Sequence, residues 1–548
     1  MKMKAKLPLD ESDFKKLINN DKVYIDKTEI IKRIMDLNGT YHFLSRPRRF
    51  GKSLLISTLK ELFEGNKELF KDTYIYNNWN WNETYKVINL DLNNLRATTP
   101  ENFEKSLSRY IDSVAKDSFN IKLDEGFSNE KLRELITAVY NINKKDVVVL
   151  IDEYDKPILD NINNKELAID IQRTLKDFYG ILKSGRSKLK FVFITGITKF
   201  SKVSIFSEFN NIIQLTLYKD YSTICGYSQD ELEKYFKDFI IEYSNSYDIS
   251  YDDVVDKIKY HYDGYSWDGE NFLYNPYSVI NFFKDEAFKN YWFSSGTPNF
   301  LIKIFKEDFN IGNIFKPLIL DESEFDIFDI ENLSQTPLLF QSGYLTIDKI
   351  ETINDEIRYT LKIPNHEVET SITKNLFSNF YTKAENNFIS KRKEIYKELN
   401  EGSCDLLIKY LKKEIFNTPY QLKIRNWKYY QTLIYAALKS LGFNTDSEIS
   451  MFSGRLDIAI EEEDNYYPFT DDKGHVIIVE VKYTQDRKKD VDKLSLKALN
   501  QIKDKGYYKI YEGNDVIMIG LAIKEIRLKI GGSKIEMKGQ MQKIDSEF

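Results

Sequence analysis

The sequence has little of several residue types and patterns that would decide its class at once. Its 548 residues include only two cysteines, Cys225 and Cys404, far apart and outside any Cys or His cluster. This excludes a disulfide scaffold and a structural zinc site, and it favours a reducing, cytoplasmic environment. The longest apolar runs, such as Val147–Ile151, are strand-length, and the first residues are charged. We therefore expect neither a signal peptide nor a membrane partner.

Neither sign of charge dominates, and the residues that usually mark domain boundaries are scarce. Lys and Arg number 79 against 85 Asp and Glu, a net charge of −6. This balance excludes a uniformly basic nucleic-acid coat but leaves room for a local basic groove. With only 11 prolines and 23 glycines, boundaries have to be inferred from changes of pattern. The length predicts two or three domains.

Four segments differ in pattern: residues 1–225, 226–365, 366–420 and 421–548. In the first, short apolar runs alternate with helical stretches, which predicts an α/β fold with a doubly wound parallel sheet. The expected strands are Tyr41–Ser45, Val87–Leu92, Val147–Asp152, Lys190–Thr195 and Ile212–Leu217.

The second segment is mostly helical and closes with two expected strands, Leu338–Ile347 and Glu356–Ile363. Helices followed by a hairpin indicate either a winged-helix or lid-like module or a helical spacer with a packed hairpin. The third segment is charged and predicts a helical connector. The fourth predicts a second α/β domain. Its expected elements are a helix at Trp427–Leu441, strands near Phe443–Ser450, Arg455–Ile460 and Val476–Lys482, a helix near 489–505 and a strand at Asp515–Ile523.

Gly51, Lys52 and Ser53 open a predicted helix directly after the strand Tyr41–Ser45. Backbone N–H groups and a helix N-terminus placed in this way bind phosphate. Lys52 would reach the β- and γ-phosphates of ATP, and the Ser53 hydroxyl would hold Mg²⁺. The usual pattern has a glycine five positions before Gly51, where this chain has Arg46.

An apolar strand ending in Asp152 and Glu153 follows about 100 residues later. Asp152 would bind Mg²⁺ and Glu153 would polarise the attacking water. Thr195, at the end of the next strand, is a candidate for orienting that water, although a threonine at a strand end is also a common cap. The segment expected to bind ATP comprises Arg46, Pro47, Arg48, Arg49, Phe50, Gly51, Lys52, Ser53 and Leu54, together with Asp152 and Thr195.

Three arginines, Arg46, Arg48 and Arg49, crowd this loop. They could neutralise phosphate charge, pair with the acidic region at Asp155, or act as arginine fingers on a neighbouring subunit of a homo-oligomer. A solvated basic loop is the plain alternative, and the sequence does not separate these readings.

Asp457, Glu480 and Lys482 form a second candidate site near the C-terminus. Period-two alternation along a strand puts Glu480 and Lys482 on one face, and Asp457 on an adjacent strand can face the same point. Two carboxylates beside a lysine predict a Mg²⁺ or Mn²⁺ site for phosphodiester hydrolysis. Glu448 on the preceding strand is a further candidate metal ligand. Exposed Glu–Lys pairing at a sheet edge is the structural alternative.

Other features of this last segment point mildly toward nucleic acid. Arg487, Lys488 and Lys489 are candidate phosphate contacts, or simply a solvated helix start. Gln501 on the following helix either faces the carboxylates or is solvated. We expect a nucleic-acid partner, DNA rather than RNA.

Taken together, these motifs resemble the prokaryotic AAA-ATPase-like proteins that carry a C-terminal PD-(D/E)XK nuclease-superfamily domain. The resemblance rests on Tyr24–Thr28, Ser45–Ser53, Ile151–Pro157, Thr195–Ser201, Tyr262–Tyr265, Tyr291–Phe293, Gly296–Pro298, Phe340–Leu345, Gly454–Asp457 and Glu480–Tyr483. It implies ATP binding by Lys52 and Ser53, magnesium handling by Asp152, and a nuclease-type metal centre at Asp457, Glu480 and Lys482. It also accounts for Arg46, because the family looks like this at the loop.

Three functions follow as hypotheses. The first is an ATP-regulated enzyme that cleaves or processes DNA, in a mobile-element or anti-phage context. The second is an ATP-driven switch whose C-terminal domain binds nucleic acid or protein without cutting. The third is an interaction protein with degenerate sites, against which the intact Lys52, Ser53, Asp152 and Glu153 argue.

Overall fold

The chain folds into two compact units in a computed structural model. The first comprises Met1–Leu301 and Ile314–Glu369, and the second comprises Ile302–Asn313 and Thr370–Phe548. The four-segment division made from the sequence is finer than this and stays a prediction. The residues described are 6–95, 97–199, 212–294, 317–321, 335–353, 355–372, 388–417, 430, 433–435, 437–438, 441, 443, 445–451, 454–461, 475–511, 515–527 and 533–544.

A five-stranded parallel sheet forms the centre of the first unit. Its strands are β1 (Tyr41–Ser45), β2 (Val87–Asp91), β3 (Val147–Asp152), β4 (Leu189–Gly196) and β5 (Ile213–Gln214). Their order is β2-β3-β4-β1-β5, and every pair is parallel. All residues of β1 and β3 are buried, as expected when helices cover both faces of a sheet. This confirms the predicted doubly wound sheet, with a fifth strand shorter than expected.

Helices connect the strands and continue after the sheet. In chain order they are α1 (Phe14–Asn19), α2 (Thr28–Met35), α3 (Lys52–Phe63), α4 (Pro100–Phe119), α5 (Ser128–Asn143), α6 (Lys156–Asp160), α7 (Lys165–Ser184), α8 (Gln229–Tyr235), α9 (Lys237–Tyr247), α10 (Tyr251–Tyr262), α11 (Pro276–Asp285), α12 (Tyr291–Ser294) and α13 (Gln335–Gln341). Local sequence sets their ends: Thr99 caps α4 by accepting from the Asn102 N–H, Pro100 follows the cap, and Asn120 ends the helix in a left-handed conformation.

Helices α8 to α11 pack around an aromatic core that includes Phe236, Tyr262 and Phe282. A three-stranded antiparallel sheet follows, ordered β6 (Leu318–Asp321), β8 (Glu356–Lys362) and β7 (Thr346–Ile353). The sequence predicted the hairpin but not β6.

The predicted strand Leu338–Ile347 was wrong over its first half, where the chain forms α13. Gly343 ends this helix at a φ of 90°, and the Tyr344 N–H donates to the Leu339 carbonyl at 2.8 Å. These are the features of a glycine helix cap, after which β7 begins at Thr346.

The second unit contains helices α14 (Phe388–Asn400) and α15 (Asp405–Asn417) and a mixed five-stranded sheet. In order across the sheet the strands are β13 (Ser533–Ile544), β12 (Asp515–Arg527), β11 (His475–Thr484), β10 (Gly454–Glu461) and β9 (Thr445–Met451). Helix α16 (Val491–Lys505) connects the parallel neighbours β11 and β12 and packs on them through Leu499 and Ile502. Strand β13 was not predicted, and most of the predicted helix 427–441 lies outside the described residues.

Candidate functional sites

A cavity of about 470 Å³ in the first unit is lined at one side by the loop after β1 and the first turn of α3. This phosphate loop (residues 46–51) contains two left-handed residues, Arg49 at a φ of 66° and Gly51 at 91°. Gly51 is the N-cap of α3, so the backbone turns sharply just where the helix begins. The first N–H groups of α3 have no partner within the helix and can bind an anion.

Lys52 and Ser53 both lie at this helix start, as predicted. The Lys52 ammonium donates to the carbonyls of Arg46 and Pro47, each at 3.1 Å, and lies 3.7 Å from a carboxylate oxygen of Glu153. Its side chain is only 3% exposed, so the loop folds around the charge. A lysine held at the centre of such a loop is placed to contact a phosphate that enters the cavity.

Asp152, at the end of β3, is held by two hydroxyl groups. Ser53 Oγ donates to Asp152 Oδ2 at 2.6 Å, and Thr195 Oγ1 donates to Asp152 Oδ1 at 2.5 Å. Thr195 lies on β4, which separates β3 from β1 in the sheet. The Ser53 hydroxyl and the Asp152 carboxylate are therefore adjacent, as they must be to share the Mg²⁺ of a bound nucleotide.

Glu153 follows Asp152 in a left-handed conformation, with a φ of 53° that is uncommon outside glycine. It lines the cavity, 17% exposed at its side chain. A carboxylate held in a strained backbone at the edge of a cavity is well placed to orient a water molecule.

Asp155 is fully buried and, within the described part of the chain, does not pair with an arginine. It accepts from the Ile197 and Thr198 N–H groups and from the Thr198 hydroxyl. Burial raises the pKa of Asp155 to about 6, with a further rise from the Glu153 charge and an opposing effect of the bonds from Thr198. This side chain ties the end of β3 to the segment after β4.

The remaining loop residues lie in different environments. Arg46 is 1% exposed and is directed at backbone carbonyls, so a phosphate contact by its side chain has no geometric support. Phe50 is buried, and it lines the cavity together with Arg48, Arg49 and Leu54. Pro47 packs against Gly343.

The cavity also has apolar lining residues outside the phosphate loop, which were not predicted. Among its lining residues are Val23, Ile25, Ile31, Tyr227, Tyr277 and Ile280. Lys27 also lines it and donates to both oxygens of Glu231 at 2.6 Å. The only sequence signal for Lys27 was its place in one of the strings that carry the resemblance, and Tyr277 had none. A cavity lined by cationic groups, helix N–H groups and apolar side chains fits a nucleotide.

The second unit brings Asp457 and Glu480 together on the neighbouring strands β10 and β11. Asp457 Oδ2 accepts from the Val481 N–H at 2.8 Å, next to Glu480 in the chain. Glu480 Oε1 accepts from Lys482 Nζ at 2.8 Å and from Gln501 Nε2 on α16. Gln501 therefore faces the carboxylates, which settles the alternative left open by the sequence.

Glu480 is 2% exposed, and among the described residues no donor reaches its second oxygen, Oε2. Burial and the Asp457 charge together raise the pKa of Glu480 to about 7, against the opposing effect of Lys482. A buried carboxylate oxygen without a partner costs free energy unless a cation or a proton reaches it. Asp457 and Glu480 thus fit a divalent cation by the chemistry of their oxygens.

Glu448 lies on β9, next to β10 in the sheet, but its side chain is outside the described residues. Within the ranges that the structure describes, no group of three His, Cys, Asp or Glu side chains could hold a metal. The described part of the site therefore offers two carboxylates. In those same ranges, no helix has the length and apolar character needed to cross a membrane.

Comparison with known families assigns both regions. Residues 8–206 match a family described as "Predicted AAA-ATPase", and residues 425–533 match the PD-(D/E)XK nuclease superfamily. The chain carries an AAA-ATPase-like domain and a PD-(D/E)XK nuclease-superfamily domain. The resemblance inferred from the motifs is confirmed.

One relative spans nearly the whole chain. An uncharacterized protein from the vnfD 5′ region of Azotobacter chroococcum mcd 1 is 28% identical over 544 residues, which cover 98% of this chain and 100% of the relative. The similarity therefore extends over both of the regions that match known families.

Solved structures give only weak likenesses. The ORC2 protein of Aeropyrum pernix, in ADPNP-ADP complexes, matches with a TM-score of 0.27 and 10% identity, over 66% of this chain and 98% of that one. The ORC1 protein of the same organism, in complex with DNA, matches with a TM-score of 0.25 and 11% identity, over 65% and 94%. TM-scores this low carry no argument about fold or ligand.

Proposed function

We propose that the AAA-ATPase-like domain binds and hydrolyses Mg-ATP. One observation carries this proposal: Lys52, Ser53, Asp152 and Glu153 meet at the carboxyl ends of β1 and β3, beside the cavity lined by the phosphate loop. In open α/β sheets, this edge is where ligands bind. The triphosphate lies along the loop and the first turn of α3, and the base lies against apolar lining residues such as Tyr277 and Ile280.

Within this proposal each polar group has one task. Lys52 contacts the terminal phosphates, and the hydroxyl of Ser53 with the carboxylate of Asp152 binds the Mg²⁺ that enters with ATP. Glu153 accepts a proton from the attacking water, and Thr195 keeps Asp152 oriented through its hydrogen bond.

Mg-ATP binding is tested by thermal unfolding of the full chain. A ligand that binds only the folded state raises the melting temperature, so Mg-ATP should stabilise the wild type and should not stabilise Lys52→Ala. Lys60→Ala is a matched control, because Lys60 lies in the last turn of the same helix. An unchanged wild-type melting temperature at saturating Mg-ATP would contradict the proposal.

We further propose that the PD-(D/E)XK domain cleaves DNA with Mg²⁺ or Mn²⁺ bound at Asp457 and Glu480. What supports this is the buried Glu480 oxygen without a donor in the described structure, beside a second carboxylate and the Lys482 ammonium. A divalent cation supplies charge that stabilises the transition state of phosphodiester cleavage. Lys482 holds Glu480 and places a positive charge beside the phosphate.

DNA cleavage is tested with plasmid and single-stranded DNA in Mn²⁺, for wild type and Asp457→Asn. Cleavage by the wild type that is lost in the variant is the expected result. Asp405→Asn is the control, since Asp405 begins α15 in the same unit, away from β10 and β11 in the sequence.

One observation favours a second function, an ATP-driven switch whose C-terminal domain binds without cutting. The described part of the metal site offers only two carboxylates. Binding of DNA by the wild type, with no product in either metal, would favour this function over cleavage. The regulation of cleavage by ATP, a homo-oligomeric state and a mobile-element or anti-phage context all remain proposals.

A further inference from the structure

Residues Arg46 to Phe50 of the phosphate loop each contact a part of the first unit that lies far along the chain. The partners fall between residues 216 and 343. A phosphate loop with glycine five positions before the Gly-Lys pair needs no such contacts to turn around an anion, because glycine accepts unusual backbone angles. Here the residue at that position is an arginine, and its side chain makes contacts of this kind.

Arg46 lies at the centre of these contacts. Its guanidinium donates four hydrogen bonds of 2.9 to 3.2 Å to backbone carbonyls and stacks at 4.0 Å from the centroid of the Trp267 ring. The four carbonyls belong to Ser45, Thr216, Tyr221 and Ser222. A planar guanidinium can bind several acceptors in fixed directions, which a lysine cannot do. The arginine therefore ties the start of the loop to the chain that follows β5.

Aromatic residues hold the rest of the loop. The Trp292 indole N–H donates to the Arg48 carbonyl at 3.0 Å. Phe50 packs edge-on against Tyr265 at 4.7 Å and Trp267 at 5.4 Å between ring centroids. Hydrogen bonds and aromatic contacts of this kind fix a backbone that would otherwise have several conformations.

Two more contacts complete the set. Pro47 lies so close to Gly343 that a Cβ on that glycine would come within 2.8 Å of the Pro47 Cβ. The Arg49 guanidinium lies 4.7 Å from the centroid of the Tyr277 ring. Each residue from Arg46 to Phe50 thus makes at least one contact with the segment after β5.

The shape of the loop in turn places Lys52. Its ammonium donates to the carbonyls of Arg46 and Pro47, the two residues that the Trp267 and Gly343 contacts hold most directly. A shift in the position of these carbonyls would move the hydrogen-bond acceptors of Lys52, the lysine proposed to bind phosphate. Binding is tighter when a site is ordered before its ligand arrives, because less conformational entropy is lost on binding.

We propose that Arg46, Trp267 and Trp292 are positioning residues that hold the phosphate loop in its nucleotide-binding shape. This inference rests on the proposed binding of Mg-ATP at Lys52. It has an unusual consequence: replacing Arg46 by glycine, the residue usual at this position, weakens ATP binding instead of restoring it. A solvated arginine would predict no loss.

The affinity test uses isothermal titration of the full chain with Mg-ATP. Trp292→Phe removes one hydrogen bond from the loop and should weaken binding about three- to tenfold, while Arg46→Gly removes four and should weaken it more. Trp81→Phe is the matched control, because the Trp81 indole donates a 2.8 Å hydrogen bond to the carbonyl of Tyr76, which is not part of the loop. The affinity of this variant for Mg-ATP should equal that of the wild type. Arg46→Lys keeps the charge but not the fork of donors, and should behave like Arg46→Gly.

Hydrogen exchange without nucleotide provides a readout that does not depend on ATP. Amides of residues 46–51 should exchange faster in Trp292→Phe and Arg46→Gly, with those of β3 unchanged. Unaltered affinity and unaltered loop exchange in Trp292→Phe would overturn the inference, even if Arg46→Gly fails to fold. If the loop exchanges faster in the variants but the wild type binds no Mg-ATP, the proposed function is overturned. The conclusion that these contacts order the loop then still holds.

Discussion

The two candidate sites differ in how their buried polar groups are satisfied. In the AAA-ATPase-like domain, Asp152 accepts from Ser53 and Thr195, and Lys52 donates to two loop carbonyls. In the nuclease-superfamily domain, Lys482 and Gln501 share one oxygen of Glu480, and in the described structure the other oxygen has no donor. The polar groups of the first site are thus satisfied within the protein, whereas the second leaves one buried carboxylate oxygen to be satisfied by a cation or a proton.

This contrast matters because the two sites should respond differently to the same perturbation. Removing a group from the first site breaks a network that already exists, so the effect appears in nucleotide binding or turnover. Removing a group from the second changes how well the protein holds a cation, so the effect depends on metal concentration.

The largest expected effect concerns Glu153, which lines the cavity of the first site. Glu153→Gln should lower the rate of ATP hydrolysis by about 10²- to 10⁴-fold, because it removes the proton acceptor, while Mg-ATP still binds. Steady-state turnover and titration of Mg-ATP separate the two quantities. Glu29→Gln, on the exposed side of α2, serves as the control. Equal losses of turnover and of affinity would show that Glu153 acts in binding.

Gln501→Met should lower Mn²⁺-dependent cleavage by about 10- to 100-fold, the usual cost of losing a neighbour that orients a metal ligand. The substitution keeps the length of the side chain and removes its donation to Glu480. Activity measured across Mn²⁺ concentrations should recover partly at high metal. The control is Gln485→Met, which loses a hydrogen bond to the Tyr483 hydroxyl in the same unit. A loss that Mn²⁺ cannot relieve would argue against orientation of Glu480.

A divalent cation without nucleotide should stabilise the second unit. At ten times its dissociation constant, Mn²⁺ should add about 1.4 kcal/mol to the free energy of unfolding. Denaturant unfolding in Mn²⁺ and in EDTA measures the difference, which Asp457→Asn should abolish and Asp152→Asn should leave in place. Stabilisation that depends on Asp152 would reverse the contrast between the sites.

The smallest expected effect concerns the acid stability of the first unit and depends on His42. This residue is buried in β1, and its ring stacks on that of Phe191 with 4.7 Å between the ring centroids. Burial lowers the pKa of His42 to about 4. The folded state then binds this proton less readily than the unfolded chain, so stability is full above a pH of about 6.5 and falls as the pH drops toward 4. His42→Phe should reduce this loss by about 0.8 kcal/mol at pH 6.

Denaturant unfolding at pH 6 and pH 7.5 checks this prediction. The comparison variant is His366→Phe, because His366 stacks on Tyr260 of α10 and does not belong to the sheet. An identical pH dependence in His42→Phe and wild type would show that His42 does not set the acid sensitivity.

The sequence predicted the elements whose apolar pattern is strong. The strands Val147–Asp152 and Tyr41–Ser45 are runs of apolar and aromatic residues buried on both faces, and the structure confirms both. Strand Ser533–Ile544 was missed although Ile535 and Met537 alternate with polar residues, because its outward face is charged and polar. Leu338–Gln341 was assigned to a strand because a short apolar run does not distinguish a strand from a buried helix.

The roles of individual polar residues were harder to predict, because they depend on partners distant in sequence. An arginine beside a phosphate-binding motif suggests a phosphate contact, yet the carbonyls that surround Arg46 come mostly from residues 216 to 222. Gln501 contacts Glu480 only because α16 packs across β11. The spacing of residues along the chain predicts neither of these contacts.

The most direct test of the central claim is plasmid cleavage in Mn²⁺, with and without ATP, by wild type, Asp457→Asn and Glu153→Gln. If ATP turnover in one domain controls cleavage by the other, ATP changes the wild-type rate, Asp457→Asn is inactive under both conditions, and Glu153→Gln responds to ATP differently from the wild type. Equal cleavage by all three proteins, with no dependence on ATP, would contradict the account.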